Sequence, residues 1–309
     1  MTVAFISHKD CERHEMGARH PERPARLVAI NDRLRTVGLD ELLRHDEAPA
    51  VTREQLARVH DEDYIDWIYA QAPKQGVVWL DPDTGMNEYS LSAALRAAGA
   101  VVKAVDLVMA GEAEAVFCSV RPCGHHAERR RAMGFCIFNN IAVGAAHALA
   151  AHGLKRIAIV DFDVHHGNGT EQIFREEPHV LFCSSFQHPF YPGSGADTMS
   201  DHIINIPLPA GTGGDRFREA VEDHWLGALE AAKPQLLMIS AGFDAHAEDD
   251  MAMLQLVEAD YAWITDKLKA IADRHAEGRI VSALEGGYNL SALGRSVATH
   301  IDRLIAHHA

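Results

Sequence analysis

Four short apolar runs in this chain each break off into a polar cluster, and that pattern does most to fix what it can fold into. Residues 115–120 run into Arg121-Pro122-Cys123-Gly124-His125-His126. The run at 157–162 carries Asp161 and continues as Asp163-Val164-His165-His166-Gly167-Asn168. Residues 236–241 lead to Gly242-Phe243-Asp244-Ala245-His246, and 280–284 to Glu285-Gly286-Gly287-Tyr288-Asn289. Short apolar runs of this kind read as strands buried on both faces. Further strands are expected at 3–7 and 180–184. Amphipathic segments lie between them, at 25–37, 61–71, 90–110, 139–152, 168–176, 214–231, 251–275 and 290–306. Pro24 suits a first helical position and Gly38 the far end of the same helix. Strands alternating with helices imply a parallel α/β sheet joined by crossovers. No repeat or low-complexity linker divides the chain, so residues 1–309 read as a single domain. In such sheets ligands bind outside the carboxyl ends of the strands, so the four clusters are expected to meet in one crevice.

Side chains alternate along a strand, so Asp161, Asp163 and His165 are expected on one face, neighbours roughly 6–7 Å apart. Asp163 and His165 then converge on one ion, and buried charges at a strand end need such compensation. Asp163, His165 and Asp244 make an oxygen–nitrogen–oxygen set that leaves a catalytic zinc its open position. The same set suits Fe(II), Co(II) or Mn(II). A plainer reading has Asp244 capping a helix or turn and Asp163 pairing with an arginine, but it must explain each cluster separately. A lone histidine is commonly a core or surface residue. An adjacent pair behind a Pro-x-Gly turn instead offers a general base and a charged partner. Gly286-Gly287-Tyr288 puts a phenol on a flexible loop, where it can donate to an oxyanion. Taken alone, it is a glycine turn followed by a packed aromatic.

With Lys+Arg at 29 against Asp+Glu at 44, the net charge is −15. That disfavours nucleic acid and anionic membranes and favours cationic substrates, although ordinary solubility accounts for it as well. The five cysteines are scattered without a C-x-x-C, which fits a reducing compartment and no disulfide framework. No apolar run approaches the ~18 residues of a membrane span. The strand-like start at residues 1–6 meets Lys9 and Asp10 at once, too short for a signal peptide, so the chain reads as cytoplasmic. His307 and His308 read as a solvated tail.

Taken in order, R-P-C-G-H-H-A, G-F-C-I-F-N-N, D-F-D-V-H-H-G-N-G-T, S-A-G-F-D-A-H and E-G-G-Y-N-L resemble the histone deacetylase family, which includes bacterial deacetylases and acetylpolyamine amidohydrolases. The match runs from about residue 20 to 290. The resemblance implies the arginase-like fold, a central eight-stranded parallel sheet flanked by helices, and zinc-dependent hydrolysis of an N-acetyl amide. It implies metal ligands at Asp163, His165 and Asp244, tandem histidines at His125 and His126, and a transition-state tyrosine at Tyr288. A structural potassium ion would take Asp161, backbone oxygens of Asp163 and His165, and Ser184 with its neighbour Ser185. A second monovalent site would lie near Phe174 and Val180. The acyl tunnel would be walled by Phe135 and Tyr191, with Gly134, Gly286 and Gly287 beside the substrate, Met251 near the mouth and Arg26 at an internal cavity.

Two departures stand out. Asn168 sits where many members carry Asp, and 184–188 lacks the common Ser-x-His order. Asp161 would orient His125 as a carboxylate and Asn168 would orient His126 as a neutral amide, so His125 is expected charged and His126 neutral. The expected substrates are acetyl-lysine peptides, with acetylated polyamines as the alternative. A two-metal ureohydrolase would want D-x-D where His246 stands. A silent acyl-binding or scaffold protein sits poorly with an intact Tyr288 and histidine pair. Oligomeric state stays open, a homo-oligomer included.

Overall fold

The computed structural model describes residues 2–306, so His307 and His308 lie outside the described residues. Its strands are β1 (Val3–Ser7), β2 (Arg44–Glu47), β3 (Val78–Asp81), β4 (Thr84–Met86), β5 (Ala115–Cys118), β6 (Ile157–Asp161), β7 (Val180–Gln187), β8 (Ile203–Leu208), β9 (Leu236–Ala241) and β10 (Ile280–Leu284). Eight of them form one sheet in the order β2-β1-β5-β10-β9-β6-β7-β8. Every pairing in it is parallel. Strands β3 and β4 form a separate antiparallel hairpin. Helices cover the sheet, and one continuous apolar core fills the space between. Among the described residues no helix is long and apolar enough to cross a membrane.

The central strands are buried at every position, as their unbroken apolar runs require. Helix Asn140–His152 starts where the Asn139 side chain accepts from the Ala142 amide, and it ends at Gly153 with φ 66°. Asn289 caps helix Leu290–Ile305 in the same way. Pro24 stands one place outside helix Ala25–Thr36, as its N-cap.

The elements differ from expectation in three places. Both edge strands went unread: β2 is the polar Arg-His-Asp-Glu, and β8 carries Pro207, which an edge tolerates. The helix expected over 251–275 begins only at Glu258. Upstream of it, Gln255 and Leu256 make extended bridges to Gly213 and His246. The Asp260 carboxylate accepts from the Val257 amide and fixes the helix start. The helix expected over 214–231 runs continuously from Gly214 to Ala232, with a π turn at Glu222–Leu226 inside it.

Strands β5, β10, β9 and β6 are consecutive neighbours in the middle of the sheet. Their four polar clusters therefore emerge side by side at one edge.

Candidate active site

Strand β6 stops at Asp161, so the expected shared face does not extend to Asp163 and His165. A pair of tight turns does the work instead. The Asp163 amide donates to Asp161 Oδ1 at 3.1 Å, and the His165 amide to Asp163 Oδ1 at 2.9 Å. These turns point Asp161 toward His125 and send Asp163 and His165 to a separate focus. There His165 Nδ1 lies 3.1 Å from Asp163 Oδ1 and 3.2 Å from Asp244 Oδ2. The ligand atoms of Asp163, His165 and Asp244 all lie within 4.8 Å of one another, and all three residues are buried. Asp244 Oδ2 is buried with no hydrogen-bond partner. A buried orphan oxygen beside a second carboxylate and an imidazole is what a divalent cation would satisfy, so the residues present fit such an ion.

Burial alone would lower the His165 pKa, but the adjoining Asp163 and Asp244 carboxylates push it up to about 10. Burial, then Asp163, pushes Asp244 up to about 6. Between these values the cluster without metal holds a protonated His165, and an incoming divalent ion must displace that proton. Metal-depleted protein is therefore expected to release about one proton per ion bound near pH 8. Calorimetry in buffers of different ionisation enthalpy reads this directly. Proton-free binding would mean that His165 is already neutral.

The tandem histidines stand side by side, ring centroids 4.0 Å apart. His125 Nδ1 faces Asp161 Oδ2 at 2.9 Å, and His126 Nδ1 faces Asn168 Oδ1 at 2.8 Å. Burial works against a charge on His125, but Asp161, Asp163 and Glu285 together raise its pKa well above the ordinary value. Burial lowers His126 well below it, and the neighbouring His125 and His165 add to that. The pair is thus one imidazolium beside one neutral imidazole.

Hydrogen bonds hold the Gly286-Gly287-Tyr288 loop along its length. The Gly286 amide donates to Asp163 Oδ2 at 2.8 Å, and the Gly286 carbonyl accepts from the Phe243 amide at 3.0 Å. Asp249 Oδ2 accepts from the amides of Tyr288 and Asn289. Arg26 is fully buried and donates to the carbonyls of Gly287 and Glu285 at 2.6 and 2.5 Å. Its guanidinium lies 5.0 Å from the Tyr288 ring centre. Burial, with Cys123 and Asp244 nearby, raises the Tyr288 phenol well above 10, so it keeps its proton.

A cavity of about 210 Å³ opens above these groups, lined by His126, Gly134, Phe135, His165, Tyr191, Met251 and Tyr288, with Asp83 and Phe190. Phe190 stacks on His165 with centroids 5.6 Å apart, and Tyr191 sets its ring against His126. Gly134 and Phe135 both have positive φ, 57° and 69°. A Cβ on Gly134 would stand 2.3 Å from His126 Cδ2. A left-handed phenylalanine costs of order 1–3 kcal/mol unless its surroundings hold it. The β3–β4 hairpin supplies that hold: Asp83 Oδ1 accepts from the Gly134 amide and Thr84 Oγ1 from the Phe135 amide, each at 3.0 Å.

Of the residues the resemblance placed at potassium, Asp161 and Ser184 are register partners across β6 and β7. Ser185 is buried beside them. Ser184 Oγ meets His166 Nδ1 at 3.0 Å. Phe174 closes helix Asn168–Phe174, and Val180 opens β7.

Sequence reasoning missed Asp83, Phe190 and Glu285. Glu285 is fully buried and accepts from the amides of Gly124 and His125 and from Ser240 Oγ. Burial pushes its pKa up to about 7, against the pull of His125. Its signal was present, a carboxylate directly after a buried strand. Asp83 sits in a polar turn that gave no sign of its task. All five cysteines are buried and free, yet Cys123 and Cys136 bring their sulfurs within 3.4 Å.

Carboxylates, imidazoles and a phenol thus gather at the carboxyl edge of a parallel sheet, beside a narrow apolar cavity. A model of the histone deacetylase domain matches residues 20–304. The chain is 40% identical to an uncharacterised protein of Synechocystis sp., over 98% of this chain and 99% of that one. It is 38% identical to the histone deacetylase-like amidohydrolase of Pseudomonas aeruginosa, over 88% of this chain and 73% of that one. The crystal structure of the HDA15 HD domain matches at a TM-score of 0.93 and 35% identity, covering 98% of this chain and 88% of that chain. The chain belongs to the histone deacetylase family, whose members are hydrolases of amide bonds.

Proposed function

We propose that the protein, acting as one catalytic unit, is a divalent-metal-dependent deacetylase that removes acetyl groups from acetyl-lysine side chains. The observation that carries this is the convergence of the Asp163–His165–Asp244 cluster, the histidine pair and Tyr288 on the floor of one apolar cavity. Asp163, His165 and Asp244 would hold the ion, zinc being the first candidate and Fe(II) or Co(II) the others; once bound, it would polarise the acyl carbonyl and acidify water. Phe135 and Tyr191 wall a slot for an aliphatic stem. His126 takes the proton of the attacking water on Nε2, because its Nδ1 hydrogen is committed to Asn168. Tyr288 donates to the oxyanion that forms on the acyl carbon. His126 then returns the proton to the departing amine, and acetate leaves. His125, charged through Asp161, stabilises negative charge without exchanging a proton.

The polyamine alternative wants a free carboxylate at the mouth. Asp249 is engaged with backbone amides and Glu248 pairs with Arg295 at 2.7 Å, whereas Asp250 is exposed beside Met251, and Asp83 lines the cavity itself. Acetyl-lysine is the first reading on the apolar walls Phe135 and Tyr191, and acetylated polyamines are the second on these two carboxylates. Turnover is to be profiled on acetyl-lysine peptides, acetylated polyamines and longer acyl-lysines, with metal content measured on the same sample. Acetyl-lysine peptides are expected to turn over fastest. No release of carboxylate from any substrate by metal-loaded protein would overturn the proposal.

The histidine assignment carries its own expectation. A base must be unprotonated, so activity falls as pH drops through the pKa of His126. Asn168→Asp puts a carboxylate on Nδ1, raises that pKa and moves the acid limb of the kcat profile to higher pH. An unmoved limb with metal content intact would refute the division of roles.

A further inference from the structure

Asn168 is an amide doing the work of a carboxylate, and its orientation decides what His126 can do. Its Oδ1 must face His126 Nδ1 for that nitrogen to carry the hydrogen and leave Nε2 open toward the cavity. Rotated by half a turn, the amide would present its NH2 group to Nδ1 and force the hydrogen onto Nε2. Something must hold the amide in the first state.

We infer that Glu128 is a positioning residue for the reaction, locking the Asn168 amide and through it the tautomer of His126. Asn168 Nδ2 donates to Glu128 Oε1 at 2.8 Å. The other neighbours of Nδ2 are also acceptors, but weaker ones: His126 O at 3.5 Å, longer than an ordinary N–H···O bond, and the thioether Met133 Sδ at 3.4 Å. An ionised carboxylate can only accept, so Glu128 permits one orientation of the amide and charges that contact. Electron density drawn through the amide also strengthens Oδ1 as an acceptor for His126 Nδ1–H. The chain Glu128–Asn168–His126 thus behaves as a carboxylate–histidine pair with an amide inserted.

The backbone is held at Glu128 and beside Asn168. The Glu128 amide donates to the Arg131 carbonyl at 2.9 Å, and the Glu128 carbonyl meets His60 Nδ1 at 3.0 Å. His60 in turn accepts from the Asn139 amide. The amides of Gly169 and Thr170, next to Asn168, donate to the His125 carbonyl. The Glu128 side chain and Asn168 border an open polar cavity of about 850 Å³, separate from the apolar one. Glu128 therefore touches neither the proposed substrate slot nor the candidate metal ligands.

The inference rests on His126 as the base, and the experiment separates the two. Zinc-loaded protein labelled with ¹⁵N at histidine reports the tautomer of each ring, with His126→Gln identifying the signal. The parent protein is expected to show hydrogen on Nδ1 of His126. Glu128→Gln supplies a group that can donate or accept, so both amide orientations become satisfied. It is expected to mix the tautomers and lower kcat roughly 10-fold with KM unchanged, well short of the ~10²–10⁴ that loss of the base itself costs. Combining Glu128→Gln with Asn168→Asp exchanges the two groups and restores a single donor–acceptor order. That double variant is expected to return the Nδ1–H signature and to recover more activity than either single change. A pure Nδ1–H signal in Glu128→Gln, or a double variant no better than its parents, overturns the role of Glu128. An inactive parent that shows the Nδ1–H signal and its loss in Glu128→Gln would instead sink the hydrolytic reading and leave the lock standing.

Discussion

Tyr288→Phe is expected to lower kcat by roughly 10²–10³, the cost of one oxyanion donor, while metal content and thermal stability stay near those of the parent. The change deletes one oxygen and leaves the ring. The ring is what the surroundings hold: Phe135 packs edge-on against it at 5.9 Å, and Arg26 lies over its face. The loop itself is held through backbone groups, by Asp249, Asp163 and Arg26, none of which needs the hydroxyl. The loss should therefore fall on kcat and not on folding. Acetamide substrates should show it most, and activated esters less, since a better leaving group asks less of the oxyanion. Steady-state rates on both, with metal analysis, check this. A Phe variant at the parent rate on acetyl-lysine would reduce Tyr288 to a packing residue.

The second large effect concerns Asp163 and Asp244. Asp244→Ala is expected to bring metal content to background and activity below detection, a loss beyond the roughly 10–100-fold that outer partners of metal sites cost. The carboxylate also accepts from the Val164 amide at 3.0 Å, so Asp244→Asn is the gentler variant and should retain the fold. Asp163→Ala carries a second penalty, because Asp163 Oδ2 holds the Gly286 amide. Asp163→Asn should separate that penalty from metal loss. Metal analysis after gel filtration, alongside circular dichroism, reads all four variants. Full occupancy in the alanine variants would remove the ion from this site.

The centre of the fold was legible because its signals are local. Unbroken apolar runs mark strands buried on both faces, and reactive groups directly after them mark the carboxyl edge. The edges were not legible, since β2 has no apolar residue and β8 is interrupted by a proline. The four clusters were expected to gather and do lie together, but the local geometry differs from the one read. Strand periodicity was carried past Asp161, where side-chain-to-backbone turns take over. Asp83 and Glu128 were invisible for a different reason. Each is an acid in a polar stretch with no motif around it, and the partners named lie 51 and 40 positions away.

The hairpin brace on Gly134 and Phe135 separates two properties that usually change together. The reactive groups hang from neighbouring strands at the centre of the sheet, while the slot's width depends on a two-stranded element outside it. Changes in residues 78–86 therefore act first on the wall of the cavity, through Gly134 and Phe135, and reach His126 only through Gly134.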